Sequence, residues 1–365
     1  MIDADLTPIP GKLGDLVQAV KGCRKMLVLT HDNPDPDSLA SAEGLRFLLQ
    51  NICGLRVRAA YGGIVGRAEN RTMLKLLKLH IDRLSKIDMT SFSAFALVDT
   101  QPGAGNNSLP PRLKADIVID HHPRRRGISA PYVDTREAYG ATSTIITEYL
   151  LEAGLNIPPD LATALFYGIA SDTRNLGRRV TEADVKAYMH LFPLANMRKL
   201  SRIEFPDLPQ SYYVNIDRAL GNAFVYRNIV GSRVGAVDNP DIIPEFADLL
   251  LRHEKATWSI CLGCWEGNII VSVRTSNPRA EAGKIVRSLM GRRGQAGGHG
   301  MMAAGKMPCP MNDEEELRAL EEKTIRRFLK LLGKKESATL EPLLGKDPER
   351  PWPSSAAGST NSSRT

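Results

Sequence analysis

The sequence lacks the features of a secreted, disulfide-stabilised or membrane-spanning protein. Its 365 residues include five cysteines, too few for the dense disulfide framework of small secreted domains. The opening segment, MIDADLTPIPGKLGDLVQ, carries acids where a signal peptide carries bases, and it has no apolar core. No stretch approaches the roughly 18 uninterrupted apolar residues of a membrane span. We therefore expect a soluble, cytoplasmic protein without a membrane partner.

The chain also shows no internal repeat and no basic stripe interleaved with aromatic residues, which argues against binding of long nucleic acids. Its hydrophobic and charged fractions, 42% and 24%, are ordinary for a globular protein. Lys and Arg outnumber Asp and Glu by 48 to 41. The resulting net charge of +7 permits anionic partners such as phosphates but identifies none. At about 150 residues per domain, the length predicts two domains and some additional chain.

Residues 1–190 contain strand-like apolar runs that alternate with helical patterns. The strand-like runs are KMLVLT, LRVRAAYG, AFALVD, ADIVID and PYVD, and the helical ones are SLASAEGLRFLLQN, TSTIITEYLLEAG and PDLATALFYGIAS. Strands that alternate with helices predict an α/β domain with a doubly wound, mostly parallel sheet.

The pattern changes after residue 190. Residues 191–213 are richer in proline and polar residues, which predicts a linker with one helical piece. Residues 214–335 combine two hairpin patterns, helices and a glycine-rich loop, and they predict a smaller α/β domain. Residues 336–365 are rich in Pro, Ser and Gly, so we expect a disordered tail.

Acidic and histidine side chains collect where the apolar runs of the first domain end. They are His31, Asp35, Asp37, Asp99, Asp120, His121, His122 and Asp172. Open parallel sheets bind ligands at the carboxyl ends of their strands. Any one of these acids could be a helix cap or a turn residue, but imidazoles and carboxylates together suit Mn, Fe, Zn or Co. Six ligands drawn from these eight side chains would match two ions roughly 3.5–4 Å apart that share bridging carboxylates.

Six segments resemble the DHH phosphoesterase superfamily. HDNPDPDSLASA, ALVDT, IDHHPR and GIASDT are similar to its four motifs, and VSVRTS and GQAGGHGMMAAG are similar to those of its DHHA1 subclass. The two-domain organisation resembles the bacterial nanoRNase and pAp phosphatase group. The resemblance implies a DHH domain joined by a linker to a DHHA1 domain, with the active site in the cleft between them.

The resemblance also assigns roles to the collected side chains. It implies that His31 and Asp35 bind one divalent ion, that Asp37 and His121 bind a second, and that Asp99 and Asp172 bridge them. His122 would stabilise charge at the scissile phosphate, and Asp120 would orient a neighbouring histidine. The implied cofactor is a pair of divalent ions, with Mn²⁺ favoured and Mg²⁺ or Co²⁺ as alternatives.

The second domain offers groups that suit a substrate phosphate. Arg274 follows IIVSV, a run typical of a central strand, where a guanidinium needs an anionic partner, and its planar fork suits bidentate contact with phosphate. Gly297 and Gly298 beside His299 would let backbone N–H groups approach an anion, although a merely flexible turn is the alternative. Ala296 replaces the first of three glycines found in the family, so we expect this loop to differ in conformation.

These observations predict a hydrolase that converts short RNA or DNA oligonucleotides, linear dinucleotides such as pGpG and pApA, or pAp to mononucleotides, using a hydroxide activated by two metals. The alternatives are a cyclic-dinucleotide phosphodiesterase, a pyrophosphatase and a catalytically silent nucleotide-binding module. A homodimer is left open. Arg124–Arg126 is interpreted either as a solvated loop or as a source of positive potential. Cys261 and Cys264 are expected to point to opposite faces of a strand and not to form a metal or redox pair.

Overall fold

The computed structural model describes residues 11–178, 180–291, 294–309, 314–335 and 337–345. Contacts divide the chain into two units, Met1–Asp207 and Leu208–Thr365. The boundary falls within residues 191–213, the segment in which we expected a linker. Among the described residues, none of the helices combines the length and the apolar character that crossing a membrane requires.

The apolar runs of unit 1 form a parallel sheet whose central strands are buried on both faces. Helices cover both faces of such a sheet, which is why its strands are almost continuously apolar. In the order β3-β2-β1-β4-β5-β6, the strands described in residues 11–178 are β1 (Lys25–Leu29), β2 (Arg56–Tyr61), β3 (Ile81–Arg83), β4 (Ala94–Val98), β5 (Ile117–Asp120) and β6 (Tyr132–Thr135). The predicted doubly wound sheet is confirmed. We did not predict β3, because it is short, half-exposed and lacks an apolar run.

The direction in which the sheet grows reverses beside β1. Strand β1 pairs with β2 on one side and with β4 on the other. The chain therefore builds the sheet outward from β1 to β3 and then returns to add β4, β5 and β6 on the opposite side. At such a switch point the connections diverge and leave a crevice at the carboxyl ends of the strands.

The helices of unit 1 in the described residues are α1 (Gly11–Ala19), α2 (Pro36–Cys53), α3 (Ala68–Leu76), α4 (Thr142–Glu152), α5 (Pro159–Thr173), α6 (Glu182–Leu191) and α7 (Met197–Glu204). Helix α2 begins at a strong start signal: Asp35 caps it by accepting from Ser38 N at 2.9 Å, and Pro36 occupies the first turn. A Cβ on Gly44 would lie 2.5 Å from Ile146 Cγ2, so glycine permits the close approach of α2 and α4. Helix α7 buries Leu200 and Ile203 in unit 1.

Unit 2 contains a mixed sheet in which only the β8–β9 pair of the described strands is parallel. Its strands, in the order β11-β12-β10-β9-β8-β7-β13, are β7 (Phe224–Tyr226), β8 (Ile229–Ala236), β9 (Trp258–Trp265), β10 (Asn268–Thr275), β11 (Gln295–His299), β12 (Met302–Pro308) and β13 (Glu341–Pro342). The described helices are α8 (Gln210–Gly221), α9 (Ile242–Leu250), α10 (Ala282–Met290) and α11 (Glu314–Leu331). The second α/β domain and its two predicted hairpins are confirmed.

Two expectations for unit 2 were wrong. The glycine-rich segment is not a loop: Gln295–His299 forms the edge strand β11, in which Ala296 pairs with Gly305. Because an extended strand suits alanine, position 296 does not require glycine. Of residues 336–365, for which we expected disorder, residues 337–345 are structured, since β13 pairs with β7 and Leu343 N donates to Ala223 O at 2.9 Å. Their few apolar side chains pack against the core clusters and cover a strand edge. Residues 336 and 346–365 lie outside the described residues.

The cysteines of β9 face different surroundings. Cys261 is fully buried in one apolar cluster, whereas Cys264 Sγ lies 2.8 Å from Cys309 Sγ. Successive strand residues alternate between faces, so residues three apart point in opposite directions. Cys261 and Cys264 therefore do not pair with each other.

Candidate metal centre

The carboxyl ends of β1, β4 and β5 bring the predicted ligands to the switch point of the sheet. His31 follows β1, Asp99 follows β4, and the Asp120-His121-His122 triplet comes at the end of β5. Helix α2 begins at the same edge, where it adds two carboxylates, and α5 ends there with a further one. The ends of five separate elements therefore contribute to one cluster.

The first ligand group consists of His31, Asp35 and Asp99. His31 Nε2 lies 3.6 Å from Asp35 Oδ1 and 3.5 Å from Asp99 Oδ2. The other ring nitrogen, Nδ1, lies 3.0 Å from the carbonyl oxygen of Asp32. A carbonyl can only accept, so Nδ1 carries the proton and the Nε2 lone pair faces the two carboxylates.

The second ligand group consists of Asp37, His121 and Asp172. His121 Nε2 lies 3.3 Å from Asp172 Oδ2 and 3.6 Å from Asp99 Oδ1. Its Nδ1 lies 3.2 Å from the carbonyl oxygen of Tyr139, which again directs the Nε2 lone pair toward carboxylates. A third group contains Asp99 with His121 and His122. Asp99 thus belongs to more than one group, whereas Asp172 belongs to one.

The donor set fits divalent cations better than it fits hydrogen bonds. His121 Nε2 is buried and has no hydrogen-bond partner among the described residues. The Nε2-to-carboxylate distances of His31 and His121, from 3.3 to 3.6 Å, exceed an ordinary N–H···O bond. Two ligands that bind one ion at about 2.0–2.2 Å with angles near 90–110° lie about 2.8–3.6 Å apart. The clusters therefore have the spacing and chemistry of divalent-metal sites.

Burial and mutual repulsion make this site unfavourable for isolated charges. Burial raises the pKa of Asp37 well above its usual value, and the neighbouring Asp99 and Asp172 raise it further. Burial lowers the pKa of His31, but Asp35 and Asp99 outweigh that effect, and the net pKa is well above the usual value. The same negative field that favours a proton on the imidazole favours a metal cation.

Helix α4 holds two of the carboxylates, a contribution that we did not predict. The backbone N–H groups of Thr142 and Ser143 donate to Asp37 Oδ2 and Oδ1, each at 2.7 Å. Thr142 Oγ1 donates to Asp99 Oδ1 at 2.9 Å. Asp184 in turn accepts from Gly140 N at 3.0 Å and from a threonine of the same helix. The sequence signal was the run GATST at the start of an apolar helix, because unpaired N–H groups there attract anions.

The backbone at Asp99 adopts a conformation that favours only a few residue types. Its φ is +57°, in the left-handed region where asparagine and aspartate are enriched among non-glycine residues. Its side chain is 1% exposed. A side chain held in this way at the end of β4 can present both carboxylate oxygens to different neighbours, as the distances to His31 and His121 show.

His122 is oriented by the first residue of the triplet. Its Nδ1 donates to Asp120 Oδ1 at 2.8 Å, which fixes the orientation of the imidazole ring. Gln101 Nε2 donates to the other oxygen, Asp120 Oδ2, at 2.6 Å. Among the described residues, the Asp120 carboxylate accepts from His122 and Gln101, and its role in orienting His122 for catalysis stays a prediction. Gln101 was not identified from the sequence, because its contact crosses from the loop after β4 to the end of β5.

Arg274 has an anionic partner within its own unit. It lies on β10 and is 8% exposed, and its Nε donates to Asp248 Oδ1 at 2.6 Å. Its Nη1 donates to Ser272 Oγ at 2.9 Å and to Val273 O at 3.2 Å. Within the part of the chain that the structure describes, Nη2 has no protein acceptor. A phosphate could therefore bind at Nη2. The bidentate contact that we expected requires two guanidinium nitrogens, and Nε and Nη1 already donate to protein acceptors.

The glycines near the predicted phosphate-binding segment differ from each other. Gly298 has φ +120°, and a Cβ there would lie 2.4 Å from Ala303 Cα, so glycine is required. A Cβ on Gly297 would meet nothing within 4 Å. The backbone of His299 ends β11, and its side chain lies outside the described residues.

Comparison with known proteins identifies the families that the two units of the chain match. The model of the DHH family N-terminal domain matches residues 25–169, and the DHHA1 domain model matches residues 226–330. An uncharacterized protein of Methanocaldococcus jannaschii, MJ1633, is 35% identical over 339 residues, which cover 88% of this chain and 69% of that protein. The chain belongs to the DHH family. Its enzymatic class follows from this membership: it is a hydrolase, a phosphoesterase of the DHH superfamily.

Two relatives whose names state an activity differ in the substrates that they act on. A probable manganese-dependent inorganic pyrophosphatase of Lactobacillus helveticus is 31% identical over 245 residues, 64% of this chain and 77% of that protein. The bifunctional oligoribonuclease and PAP phosphatase NrnA of Mycoplasma genitalium is 26% identical over 171 residues, 45% of this chain and 51% of that protein. The exopolyphosphatase-related protein of Bacteroides fragilis has a similar fold, with a TM-score of 0.70, 14% identity and coverage of 88% of this chain and 98% of that one.

Proposed function

We propose that this DHH phosphoesterase hydrolyses short oligonucleotides, linear dinucleotides or pAp to mononucleotides with the help of two divalent ions, with Mn²⁺ as the preferred metal. The observation that carries the proposal is a pair of ligand groups linked through Asp99, which belongs to the first group and whose Oδ1 lies 3.6 Å from His121 Nε2 of the second. His31, Asp35 and Asp99 would hold one ion, and Asp37, His121 and Asp172 the other. When bound, such ions supply Lewis acidity and lower the pKa of water.

The protein's own groups have defined tasks in this proposal. Asp99 is the shared carboxylate, and the backbone and hydroxyl of Thr142 keep the acids in place. His122, oriented by Asp120, stabilises charge at a phosphoryl oxygen or gives a proton to the leaving oxygen. Because the ring is already fixed at Nδ1, little orientational freedom is lost when substrate binds.

The second unit supports nucleotides as the substrate class. Arg274 presents Nη2, which carries two N–H groups, as a donor to an anion. The Asp248 carboxylate makes the burial of this guanidinium tolerable and fixes its plane. With the match to the DHHA1 domain and the similarity to NrnA, we assign Arg274 to a phosphate of a nucleotide. We assign Gly297, Gly298 and His299 to the same task.

A second candidate is inorganic pyrophosphate hydrolysis. It is favoured by the similarity to the probable pyrophosphatase of L. helveticus, which includes 64% of this chain. The two activities differ in what must bind besides the reacting phosphate. Pyrophosphate has no base or sugar, so its hydrolysis would not require a unit that binds nucleotides.

The test compares substrates and one matched pair of variants. Hydrolysis of pAp, pGpG, pApA, an RNA pentamer, a cyclic dinucleotide and pyrophosphate is measured with Mn²⁺, Mg²⁺ and Co²⁺. The proposal expects linear nucleotides to have the highest kcat/KM, whereas hydrolysis of pyrophosphate alone would establish the second candidate. Preference for the cyclic substrate would establish a cyclic-dinucleotide phosphodiesterase.

The Asp99→Asn variant isolates the carboxylate, because asparagine tolerates the positive φ of this position. We expect it to lose at least about 1000-fold in kcat and to retain nucleotide binding. Asp82→Asn, which removes an exposed carboxylate on β3, is the matched control with unchanged activity. Wild-type turnover by Asp99→Asn would refute the two-ion proposal, and nucleotide binding without hydrolysis by the wild type would indicate a silent binding module.

A further inference from the structure

Three consecutive arginines follow His122 after a single proline. Arg124, Arg125 and Arg126 are all exposed. In the described part of the chain, their guanidinium groups form no ion pair or hydrogen bond, whereas Arg136, a few residues further on, pairs with Asp134 at 2.7 Å. Adjacent like charges repel each other, so three unpaired guanidinium groups offer a concentrated site for an anion.

The main chain beneath these arginines is held in place by side chains. Arg124 N donates to Glu137 Oε1 at 2.7 Å, and Arg125 N donates to Gln101 Oε1 at 2.8 Å. Gln101 Nε2 also donates to the carbonyl oxygen of His122 at 3.3 Å. Glu137 thus contacts backbone N–H and not a guanidinium in these bonds.

Gln101 links this basic loop to the group that orients His122. The same amide that donates to the His122 carbonyl donates to Asp120 Oδ2 at 2.6 Å, and Asp120 binds His122 Nδ1. The main chain that carries the three arginines therefore has a fixed position relative to the imidazole of His122. A merely solvated loop needs no such anchoring, because exposed charges are stabilised by water wherever they lie.

We propose that Arg124, Arg125 and Arg126 form a subsite for the backbone phosphates of a single-stranded oligonucleotide on one side of the scissile phosphate. This inference rests on the proposed function, and it adds that the enzyme prefers substrates with several phosphates. Guanidinium groups bind phosphates through two parallel N–H donors and do not distinguish bases. The subsite therefore accepts any sequence and contributes more as the chain lengthens.

The experiment replaces the three arginines together with glutamine and uses a charge-matched control. The control variant is Lys21→Gln/Arg24→Gln/Arg56→Gln, whose exposed cations lie at the amino-terminal edge of β1 and β2, opposite the metal centre. A third variant replaces the three arginines with lysine and keeps the charge. The kcat/KM values are measured for an RNA pentamer, pGpG and bis(p-nitrophenyl) phosphate between 50 and 300 mM KCl.

We expect the glutamine triple variant to lose about 10- to 100-fold in kcat/KM on the pentamer at low salt, and about threefold or less on the dye. The slope of log kcat/KM against log salt should become less negative by about 2, since each lost contact with a single strand contributes about 0.7. The lysine variant should recover most of the slope, and the control should match the wild type. Equal losses on dye and pentamer, or a pentamer slope like that of the control, would overturn the inference.

Binding distinguishes this inference from failure of the proposed function. In the Asp99→Asn background, anisotropy of a labelled RNA pentamer reports affinity without turnover. If the wild type cleaves only pyrophosphate, the proposed function fails. The basic subsite is then supported if the glutamine triple variant binds the pentamer more weakly than the control does, and it is refuted if the two variants bind equally.

Discussion

Thr142 offers a direct test of how the protein supports the shared carboxylate. Thr142→Val keeps the shape of the side chain and the backbone N–H that donates to Asp37, but it removes the hydroxyl that donates to Asp99 at 2.9 Å. Both acids are buried, at 0% and 1% exposure. Water therefore cannot easily replace the lost donor. We expect the variant to fold and to bind Mn²⁺ more weakly.

The size of this effect follows from the chemistry of the lost bond. A hydrogen bond to a charged group contributes about 1.5–3 kcal/mol. Loss of a group that orients a metal ligand weakens metal binding by about 10- to 100-fold. The two ranges agree, because about 1.4 kcal/mol corresponds to a factor of ten. At saturating Mn²⁺, kcat should recover to within about tenfold of the wild type, since no ligand has been removed.

The assay is calorimetric titration of the chelator-treated protein with Mn²⁺, together with activity as a function of Mn²⁺ concentration. Thr147→Val is the matched control: Thr147 lies on the same helix, is fully buried, and donates to Ser143 O at 2.7 Å. It should retain wild-type affinity. The reasoning is refuted if Thr142→Val binds Mn²⁺ as the wild type does, or if both variants weaken binding equally.

Three further predictions concern stability and substrate binding. Chelation of divalent ions should lower Tm, and Mn²⁺ at 100 times its Kd should raise the free energy of unfolding by about 2.7 kcal/mol per site. An unchanged Tm after chelation and after addition of Mn²⁺ would contradict a metal centre. Burial raises the pKa of Glu321 from 4.5 to about 7. The folded protein therefore binds a proton at this carboxyl more tightly than the unfolded chain does. The free energy of unfolding should consequently fall by about 3 kcal/mol as the pH rises from 4.5 to 7. Urea unfolding of Glu321→Gln should lack this decrease, whereas Glu322→Gln should retain it. Asp248→Asn should weaken the positioning of Arg274 and raise KM for pAp more than for a phosphodiester dye; an equal increase for both would contradict a nucleotide-phosphate contact.

Strand ends and residue types were sufficient to predict the members of the cluster. Parallel strands deliver their last residues to one edge, so His31 after β1 and Asp99 after β4 had to approach each other once the sheet formed. The order of strand-like and helix-like runs likewise determined the α/β class. The glycine-rich segment misled us, because glycines suggest a loop whereas Gln295–His299 gains its structure by pairing with β12.

The supporting groups could not be predicted, because their contacts join distant parts of the chain. Thr142 and Ser143 reach Asp37 across 105 and 106 residues of sequence. Nothing in the pattern around either segment specifies that approach. Arg274 had suggested an external anion, yet its guanidinium already meets Asp248 from helix α9. The sequence showed that Arg274 needs an anionic partner but not that this partner would be the Asp248 carboxylate.

The sequence by itself determined the class of fold, the identity of the candidate ligands and the family, because these depend on local patterns and on motifs of a few residues. Only the tertiary structure decided that helix α4 holds Asp37 and Asp99, that His31 and His121 both present Nε2, and that the loop of Arg124–Arg126 is anchored beside His122. Each of these facts depends on the direction of a side chain relative to a distant segment. Such directions are set by packing of the whole sheet and its helices, and local propensity does not encode them.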